Sequence, residues 1–304
     1  MGWKIRNMIG MLAVCVWMTA CFDNPEEDRD WVDVCFSPAV TPVSRTSQAI
    51  YPVTNTFGMW AYALPVGLQW GKHQVQAEEF ISGEAVAYRN QVWQTEKEHG
   101  WSPDKSVSFF GWSPFELQAS FTPENGVCFK NFDVLESERI PMFTNPITDV
   151  SQPYLGAPVP VLFIHALAKV EFRAYTTMDS ELQVYITNVR VRNMAHAGDF
   201  VSLPTPCWRA DGQIADIDFL TSPVKVGQVT KSLGEGKWVL PQWMQQPVEV
   251  TYDLYDRDGN AVRQAQTVTT EPMCTEWEVG RLYIYTLKLD SDGVSFNTEI
   301  LDNL

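Results

Sequence analysis

Apolar and polar residues alternate through the middle of the chain, from Leu162 to Arg173. A period of two over this length predicts a β-strand with one face in a core and the other partly in solvent. A helix is disfavoured because Leu162, Ile164 and Phe172 would then point in different directions. We therefore expect one long central strand whose buried face consists of Leu162, Ile164, Ala166, Ala168, Val170 and Phe172.

The same alternation recurs on both sides of this central strand. In the first half it predicts strands at Trp31–Ser37, Phe57–Ala63, Gln91–Trp93, Ser106–Trp112 and Pro141–Asn145. In the second half it predicts strands at Leu182–Arg192, Val248–Tyr255, Ala261–Thr269, Tyr283–Leu289 and Val294–Ile300. Asp258-Gly259 and Asp292-Gly293 are typical hairpin turns, because glycine accepts a positive φ. With no helix-period stretch longer than about two turns, the pattern predicts an all-β protein with two β-sandwich domains.

Length and proline content suggest where these two domains divide. The chain has 304 residues, which suits two domains of ordinary size. A proline-bearing stretch at Gln152–Pro160 is the best candidate linker. We expect a first domain over residues 31–158 and a second over residues 159–304. Hydrophobic residues make up 45% of the chain, enough for two packed cores.

The first twenty residues have the pattern of an export signal. Lys4 and Arg6 precede an apolar run from Met8 to Met18, which is too short to span a bilayer. The run ends in Thr19-Ala20-Cys21, which resembles a bacterial lipoprotein cleavage box. We expect residues 1–20 to be removed and Cys21 to carry the lipid that anchors the protein in the outer membrane. The alternative is an ordinary secretory signal that happens to contain a cysteine.

An acidic stretch over residues 21–30 follows the expected cleavage point. It suits a flexible tether between lipid and fold, and it also resembles the surface-export signal of Bacteroidetes lipoproteins. Removal of Lys4 and Arg6 would leave 20 basic and 37 acidic residues, a net charge of 20 − 37 = −17. Such a balance argues against nucleic-acid binding.

Residues with catalytic or metal-binding chemistry do not form a recognisable constellation. Cys35, Cys128, Cys207 and Cys274 are widely spaced, which argues against a zinc site. An exported protein could pair them as disulfides in three ways, and we expect buried free thiols in strands instead. His73, His99, His165 and His196 are scattered, and Asp256–Asn260 lacks the glycine and glutamate of a calcium loop. We expect no enzyme activity, no metal and no cofactor, although a catalytic pair could assemble from distant residues.

Ten tryptophans follow residue 20, and most of them suit a core or the contact between domains. Trp70 and Trp243 lie in loop-like surroundings and could form a platform on which a sugar stacks.

Several segments together resemble the fimbrillin family of Bacteroidetes, whose members are lipoprotein subunits of cell-surface fimbriae. These segments are Phe57–Tyr62, Val107–Pro114, Phe163–Phe172, Tyr185–Phe200, Trp238–Gln242 and Trp277–Tyr285. The specificity lies in their order and spacing behind a lipoprotein signal. The resemblance implies two β-sandwich domains of transthyretin-like or immunoglobulin-like form, the first of them transthyretin-like. It also implies assembly with other fimbrial subunits by exchange of a β-strand after proteolysis.

The exchange mechanism leads to a specific expectation about the first strand. A sandwich that lacks one strand presents unpaired backbone groups and an apolar groove, which a partner strand can fill. We expect Val32, Val34 and Phe36 to belong to a displaceable strand at the edge of the first domain. Cleavage between Arg45 and Thr46 would release it, although an exposed loop arginine need not be a processing site.

These expectations combine into a functional hypothesis. Only four residues follow Ile300, which favours a tip, anchor or accessory subunit at least as much as a stalk subunit. We expect a structural and adhesive subunit on the cell surface, with a host or glycan receptor as a further partner. The main alternative is a stand-alone glycan-binding lipoprotein that uses Trp70 and Trp243, and a hydrolase is the third.

Overall fold

The computed structural model describes residues 31–41, 49–153 and 156–301. All of these belong to one compact unit that begins at Trp31. Strands account for nearly all the regular structure, so the predicted all-β class is confirmed. The helical elements are one turn of α-helix, α1 (Trp70–His73), and a 3-10 turn at Gln74–Gln76.

The first group of strands forms one sheet. Its members are β2 (Phe36–Val40), β3 (Ala49–Ile50), β4 (Phe57–Pro65), β5 (Glu78–Arg89), β6 (Val92–Thr95), β8 (Lys105–Ser113), β11 (Met142–Thr144), β12 (Ile147–Ser151) and β13 (Val159–His165). β8 pairs with β4 along one edge and with β11 and β12 along the other. Because β11 also pairs with β13, the sheet closes on itself as a small barrel. These strands therefore form one closed sheet rather than the two expected layers.

The barrel encloses an aromatic core. Alternate residues of β4 point inward, as a half-buried strand requires. The interior residues include Phe57, Met59, Ala61, Val107, Phe109 and Phe163. A short ladder between β1 (Val32–Asp33) and β7 (Gly100–Trp101) lies beside this core.

A four-stranded sheet, here called the bridging sheet, takes strands from both halves of the chain. It consists of β9 (Ala119–Thr122), β10 (Gly126–Asp133), β16 (Ala197–Val201) and β17 (Cys207–Ala210). Its apolar face packs against side chains that point outward from the barrel. The core between them includes Phe110, Trp112, Phe129, Phe143 and Phe200.

Two facing sheets form a sandwich in the second half. One contains β14 (Ala168–Thr176), β20 (Lys231–Ser232), β21 (Lys237–Val239), β26 (Leu282–Asp290) and β27 (Gly293–Leu301). The other contains β15 (Gln183–Ala195), β18 (Ile214–Asp218), β19 (Val224–Val226), β23 (Val248–Tyr255) and β24 (Ala261–Thr269). Their inner faces share one core, and a separate ladder joins β22 (Trp243–Met244) to β25 (Thr275–Glu276). The predicted strands and hairpins of this half are confirmed.

The expected central strand is in fact two strands. β13 ends at His165 and β14 begins at Ala168, and the two belong to different sheets. The two residues between them shift the alternation by one position. Thus Phe163 is buried and Leu162 is 37% exposed, the reverse of the prediction, whereas Ala168, Val170 and Phe172 face the core as predicted.

This break also bears on the domain boundary. The expected boundary between residues 158 and 159 places β13 (Val159–His165) in the second domain. In the structure, β13 pairs with β2 and β11 of the barrel. The chain passes from barrel to sandwich at Ala166 and Leu167, both fully buried. Because residues from Trp31 onward form one compact unit, a division into two domains near this point stays a proposal.

Candidate functional site

The segment before the first gap in the described chain lies inside the β-structure. Val32 and Asp33 pair with β7, and β2 then runs parallel to β13. On its other side β2 pairs with β6 through Phe36 and with the short β3. The expected strand at Val32–Ser37 is therefore two short strands. β1 forms a two-stranded ladder with β7, whereas β2 is not at an edge of its sheet, because it has neighbours on both sides.

Backbone hydrogen bonds hold this segment at three points. The N–H of Val34 donates to the carbonyl oxygen of His99 at 3.3 Å. The N–H of Val159 donates to the carbonyl oxygen of Cys35 at 2.8 Å. The N–H of Thr41 donates to the carbonyl oxygen of Phe163 at 2.9 Å. Loss of the segment would leave β13 and the residue before β7 without those hydrogen bonds. Unpaired backbone groups in a sheet favour the binding of another strand.

The side chains of the segment alternate as predicted. Val34 is 6% exposed and Phe36 is 3% exposed, whereas Asp33 and Ser37 face solvent. The ring of Phe36 meets those of Phe57 and Phe109 edge-on, with centroids 6.0 and 5.8 Å apart. Such edge-to-face contacts stabilise a core beyond the burial of area alone. We call the space occupied by Val34 and Phe36 the strand slot.

A glycine permits the first residue of the segment to approach β7. A methyl group built on Gly100 would come within 2.7 Å of the Trp31 ring. Only glycine leaves room for this close contact. The beginning of the segment is thus packed as well as hydrogen-bonded.

The chain returns to the core directly after the undescribed residues 42–48. Tyr51 is 1% exposed and its hydroxyl lies 2.7 Å from that of Ser113. Burial raises the pKa of Tyr51 to about 12, so the phenol is neutral and donates to the carbonyl oxygen of Thr56. The core therefore has a fixed side chain soon after the undescribed residues. Arg45 and Thr46 belong to residues 42–48 and Cys21 precedes Trp31, so all three fall outside the described residues.

The two tryptophans predicted to bind sugar lie in different environments. Trp70 is 5% exposed and packs against Tyr62 and Phe110, with ring centroids 5.3 and 4.9 Å away. Its role is structural, so the prediction of a Trp70 platform is wrong. Trp243 is 56% exposed on β22 and remains a candidate for ligand contact.

The cysteines are free thiols, but only some are buried. Cys128 is buried and Cys35 is half-buried, and burial raises the pKa of both thiols. Cys207 and Cys274 are exposed, contrary to the expectation of four buried thiols. Cys207 stands at the start of an edge strand and Cys274 follows the end of β24, where strand alternation gives no guide to burial.

The described residues contain neither a metal-binding cluster nor a helix that could span a membrane. Within residues 31–41, 49–153 and 156–301, no three His, Cys, Asp or Glu side chains are grouped to hold a metal ion. Over the same residues no helix has the length and apolar character needed to cross a bilayer.

Sequence reasoning missed several residues that form the slot. The rings of Tyr51 and Trp93, with centroids 5.3 Å apart, belong to the same aromatic core. Neither residue stands in a long alternating run. Val159 and Val161 line the slot from β13. The two β-branched valines, one on each side of Pro160, were a usable signal for these positions.

Solved structures with a similar fold come from Bacteroides species. A fimbrial protein from Bacteroides vulgatus superposes with a TM-score of 0.68 at 14% identity, covering 88% of this chain and 99% of that one. Proteins named as putative cell adhesion proteins from Bacteroides ovatus and Bacteroides uniformis give TM-scores of 0.56 and 0.54, each at 13% identity. Each match covers 90% of this chain, together with 98% of the Bacteroides ovatus chain and 99% of the Bacteroides uniformis chain. At these identities the likeness concerns the fold alone.

Comparison at the level of sequence gives the family. No curated protein sequence matches the chain. The family described as fimbrillin-like matches residues 54–302, which is most of the chain and includes the barrel from β4 onward, the bridging sheet and the sandwich. The chain is therefore a member of the fimbrillin-like family.

Proposed function

We propose that this protein is a lipid-anchored subunit of a cell-surface fimbria, in a tip, anchor or accessory position, and that it joins its neighbours by strand exchange. The observation that carries the proposal is the strand slot. A short segment fills a gap between β13 and β6, and Arg45 follows the end of β2 by five positions in the sequence. Membership of the fimbrillin-like family and the fold of a fimbrial protein from Bacteroides vulgatus support the fimbrial role.

Exchange requires that the segment can leave. A cut after Arg45 would separate residues up to Arg45 from the rest of the fold, so that only non-covalent contacts would hold them. Departure would expose the edges of β13 and β6 and the space that Val34 and Phe36 fill. A partner strand with apolar residues at alternate positions would restore both the hydrogen bonds and the burial.

The direction of β2 restricts the replacement. β2 runs parallel to β13, from the pair Phe36 and Val159 to the pair Val40 and Phe163. A donor strand that reproduces this ladder must enter in the same direction. One in the opposite direction would need a different hydrogen-bond pattern along β13.

The anchor is a separate part of the proposal. Residues 1–20 would be removed, Cys21 would carry the lipid, and residues 21–30 would link the outer membrane to the fold at Trp31. Several acyl chains, at about 0.8 kcal/mol for each buried methylene, would hold the protein to a membrane until a cut after Arg45 and departure of the segment, which includes Cys21, release the fold. Metabolic labelling with a fatty acid tests this part, and Cys21→Ser should abolish the label.

Proteolysis tests the exchange directly. The chain is treated with an arginine-specific protease, and the new amino terminus is sequenced while assembly is followed by size-exclusion chromatography and electron microscopy. We expect a terminus at Thr46 and larger assemblies. Arg45→Gln should prevent both, whereas Arg139→Gln, at an exposed arginine outside the strands, should prevent neither. A different terminus, or assembly by the Arg45→Gln variant, would contradict the proposal.

One observation favours the second candidate, a glycan-binding surface protein without a filament. Trp243 is 56% exposed, and an exposed indole is a common contact for a ligand. Failure of assembly together with retention of the protein on a polysaccharide would favour this alternative.

A further inference from the structure

A cleft of about 890 Å³ lies where the three parts of the fold meet. The barrel contributes Phe143, Asn145 and Ile164, the bridging sheet contributes residues 205–208, and the sandwich half contributes Pro241, Gln242 and residues 276–281. Binding sites for small ligands have volumes of roughly 300–1,000 Å³ and are often found where structural units join. This cleft has the expected size and position.

Trp208 gives the cleft a fixed aromatic wall. Its indole N–H donates to the carbonyl oxygen of Ala166 at 2.6 Å. Its ring also packs near Phe132 and Phe200, with centroids 5.5 and 5.3 Å away. Because the only polar atom of the indole is bound to the backbone, Trp208 presents ring carbons to the cleft. Such a surface suits the C–H face of a sugar ring.

Trp243 stands beside the cleft on the β22–β25 ladder. Trp243 and Glu276 are directly opposite each other in this ladder, and side chains of opposite residues point to the same face. Since Glu276 lines the cleft, the exposed ring of Trp243 lies at its rim. The cleft is lined by Trp208 together with the buried Phe143 and Trp277, and Trp243 stands on the adjoining ladder at its opening.

The polar groups of the cleft differ in their availability. The side-chain amide of Gln242 is committed to the structure, because it donates to the carbonyl oxygen of Ala195 and accepts from the N–H of the same residue. Asn145 and Glu276, by contrast, carry exposed side chains. An amide and a carboxylate at these positions can bind the hydroxyl groups of a ligand.

The charges that line the cleft favour a neutral ligand. Two carboxylates, those of Glu276 and Glu278, face one guanidinium, that of Arg281. Arg281 is already paired with Glu278 at 2.9 Å. The remaining carboxylate, in a chain with a net charge of −15, repels acidic or sulfated sugars.

We propose that this cleft is a receptor site for a neutral oligosaccharide, with Trp208 and Trp243 stacking on sugar rings and Asn145 and Glu276 binding hydroxyl groups. The site rests on the second candidate function, glycan binding at the cell surface, and deepens it. It does not depend on the strand slot, which lies in a different part of the fold. Strand exchange can fail while sugar binding survives, and the reverse also holds.

Affinity electrophoresis and calorimetry with neutral and acidic polysaccharides test the site on the purified chain. We expect retention by at least one neutral polysaccharide and none by acidic ones. Trp243→Ala should weaken this binding on the order of tenfold, given the usual worth of one aromatic contact. Asn145→Ala should weaken it as well. Both residues are exposed, so the variants should fold.

The control is Tyr88→Ala, which removes an aromatic side chain that is 41% exposed on β5, away from the cleft. It should leave binding unchanged. Absence of binding to every neutral polysaccharide would overturn the proposal. So would binding that Trp243→Ala and Asn145→Ala do not change, or a cleft that instead binds a peptide from a second subunit.

Discussion

Replacement of Phe36 by alanine removes the side chain that does most to hold the first strand segment in the barrel. The residue is 3% exposed and its ring lies against Phe57 and Phe109. A Phe→Ala change in a packed core costs about 3–5 kcal/mol, partly for burial and partly for the cavity that remains. A domain has a free energy of unfolding of only about 5–15 kcal/mol. We therefore expect the Phe36→Ala variant to lose a large part of its stability.

Urea denaturation followed by tryptophan fluorescence measures this loss. The matched control is Ser37→Ala, one residue further along the same strand with its side chain in solvent. A surface change of this kind usually alters the free energy of unfolding by less than about 0.5 kcal/mol. The comparison separates burial of the side chain from any effect on the strand backbone.

The same difference should appear in retention of the segment after a cut at Arg45. A cost of about 3–5 kcal/mol corresponds to a segment held more weakly by roughly two to three and a half orders of magnitude. The cut Phe36→Ala protein should therefore lose its segment on a gel-filtration column where the cut Ser37→Ala protein keeps it. If both variants show the same stability and the same retention, the side chain in the strand slot does not hold the segment, and our reasoning is wrong.

Two further predictions test packing and electrostatics. A methyl group at Gly58 would lie 2.0 Å from the ring of Trp112. Gly58→Ala should therefore lower the free energy of unfolding, measured by urea denaturation, by at least about 1–3 kcal/mol. Gly71→Ala, with open space around the added methyl group, should change it little. Hydrogen bonds from Arg190, at 2.6 and 2.9 Å, lower the pKa of Asp218, so this pair stabilises the fold at neutral pH and its contribution is lost as the pH falls below about 4. Asp218→Asn should therefore lower stability at pH 7 by no more than about 1 kcal/mol, since the pair is partly exposed. The difference from the parent protein should shrink as the pH falls from about 4 through the lowered pKa of Asp218.

The strands that sequence predicts best are those with one wet face and one buried face. Val248, Val250, Tyr252 and Leu254 alternate with polar residues, and all four are buried. The hairpins after β23 and β26 follow from their Asp-Gly turns. In these segments local sequence and tertiary packing favour the same structure.

β5 is a strand that the alternation of apolar and polar residues does not predict. It is 12 residues long, yet it begins with two glutamates and contains Gly83 at a φ of +62°. Register shifts interrupt its pairing with β4. Because a bulge changes which face successive residues occupy, its polar and apolar residues do not alternate in sequence.

Sequence could not distinguish one strand from two at Leu162–Phe172. Phe163 and Val170 both face a core, but they are seven residues apart and so have opposite parity. The change occurs at Ala166 and Leu167, which are both apolar and fit either reading. For the same reason the buried Trp70 and the exposed Trp243 look alike in sequence, because long-range contacts alone decide their burial.

A disulfide lock tests most directly whether the first segment must leave before subunits join. Ser37 and Pro160 are opposite each other in the β2–β13 ladder, and both are exposed. Neighbouring strands are about 4.8 Å apart, within the range of roughly 4.4–6.8 Å that a disulfide spans between Cα atoms.

The measurement is assembly of the Ser37→Cys, Pro160→Cys protein, in a Cys35→Ser background, after cleavage with an arginine-specific protease. We predict that the oxidised protein stays monomeric and that a reducing agent restores assembly, whereas the Cys35→Ser protein alone assembles in both conditions. Equal assembly of the oxidised and reduced double-cysteine protein would contradict the account, because the segment would then never need to leave its slot.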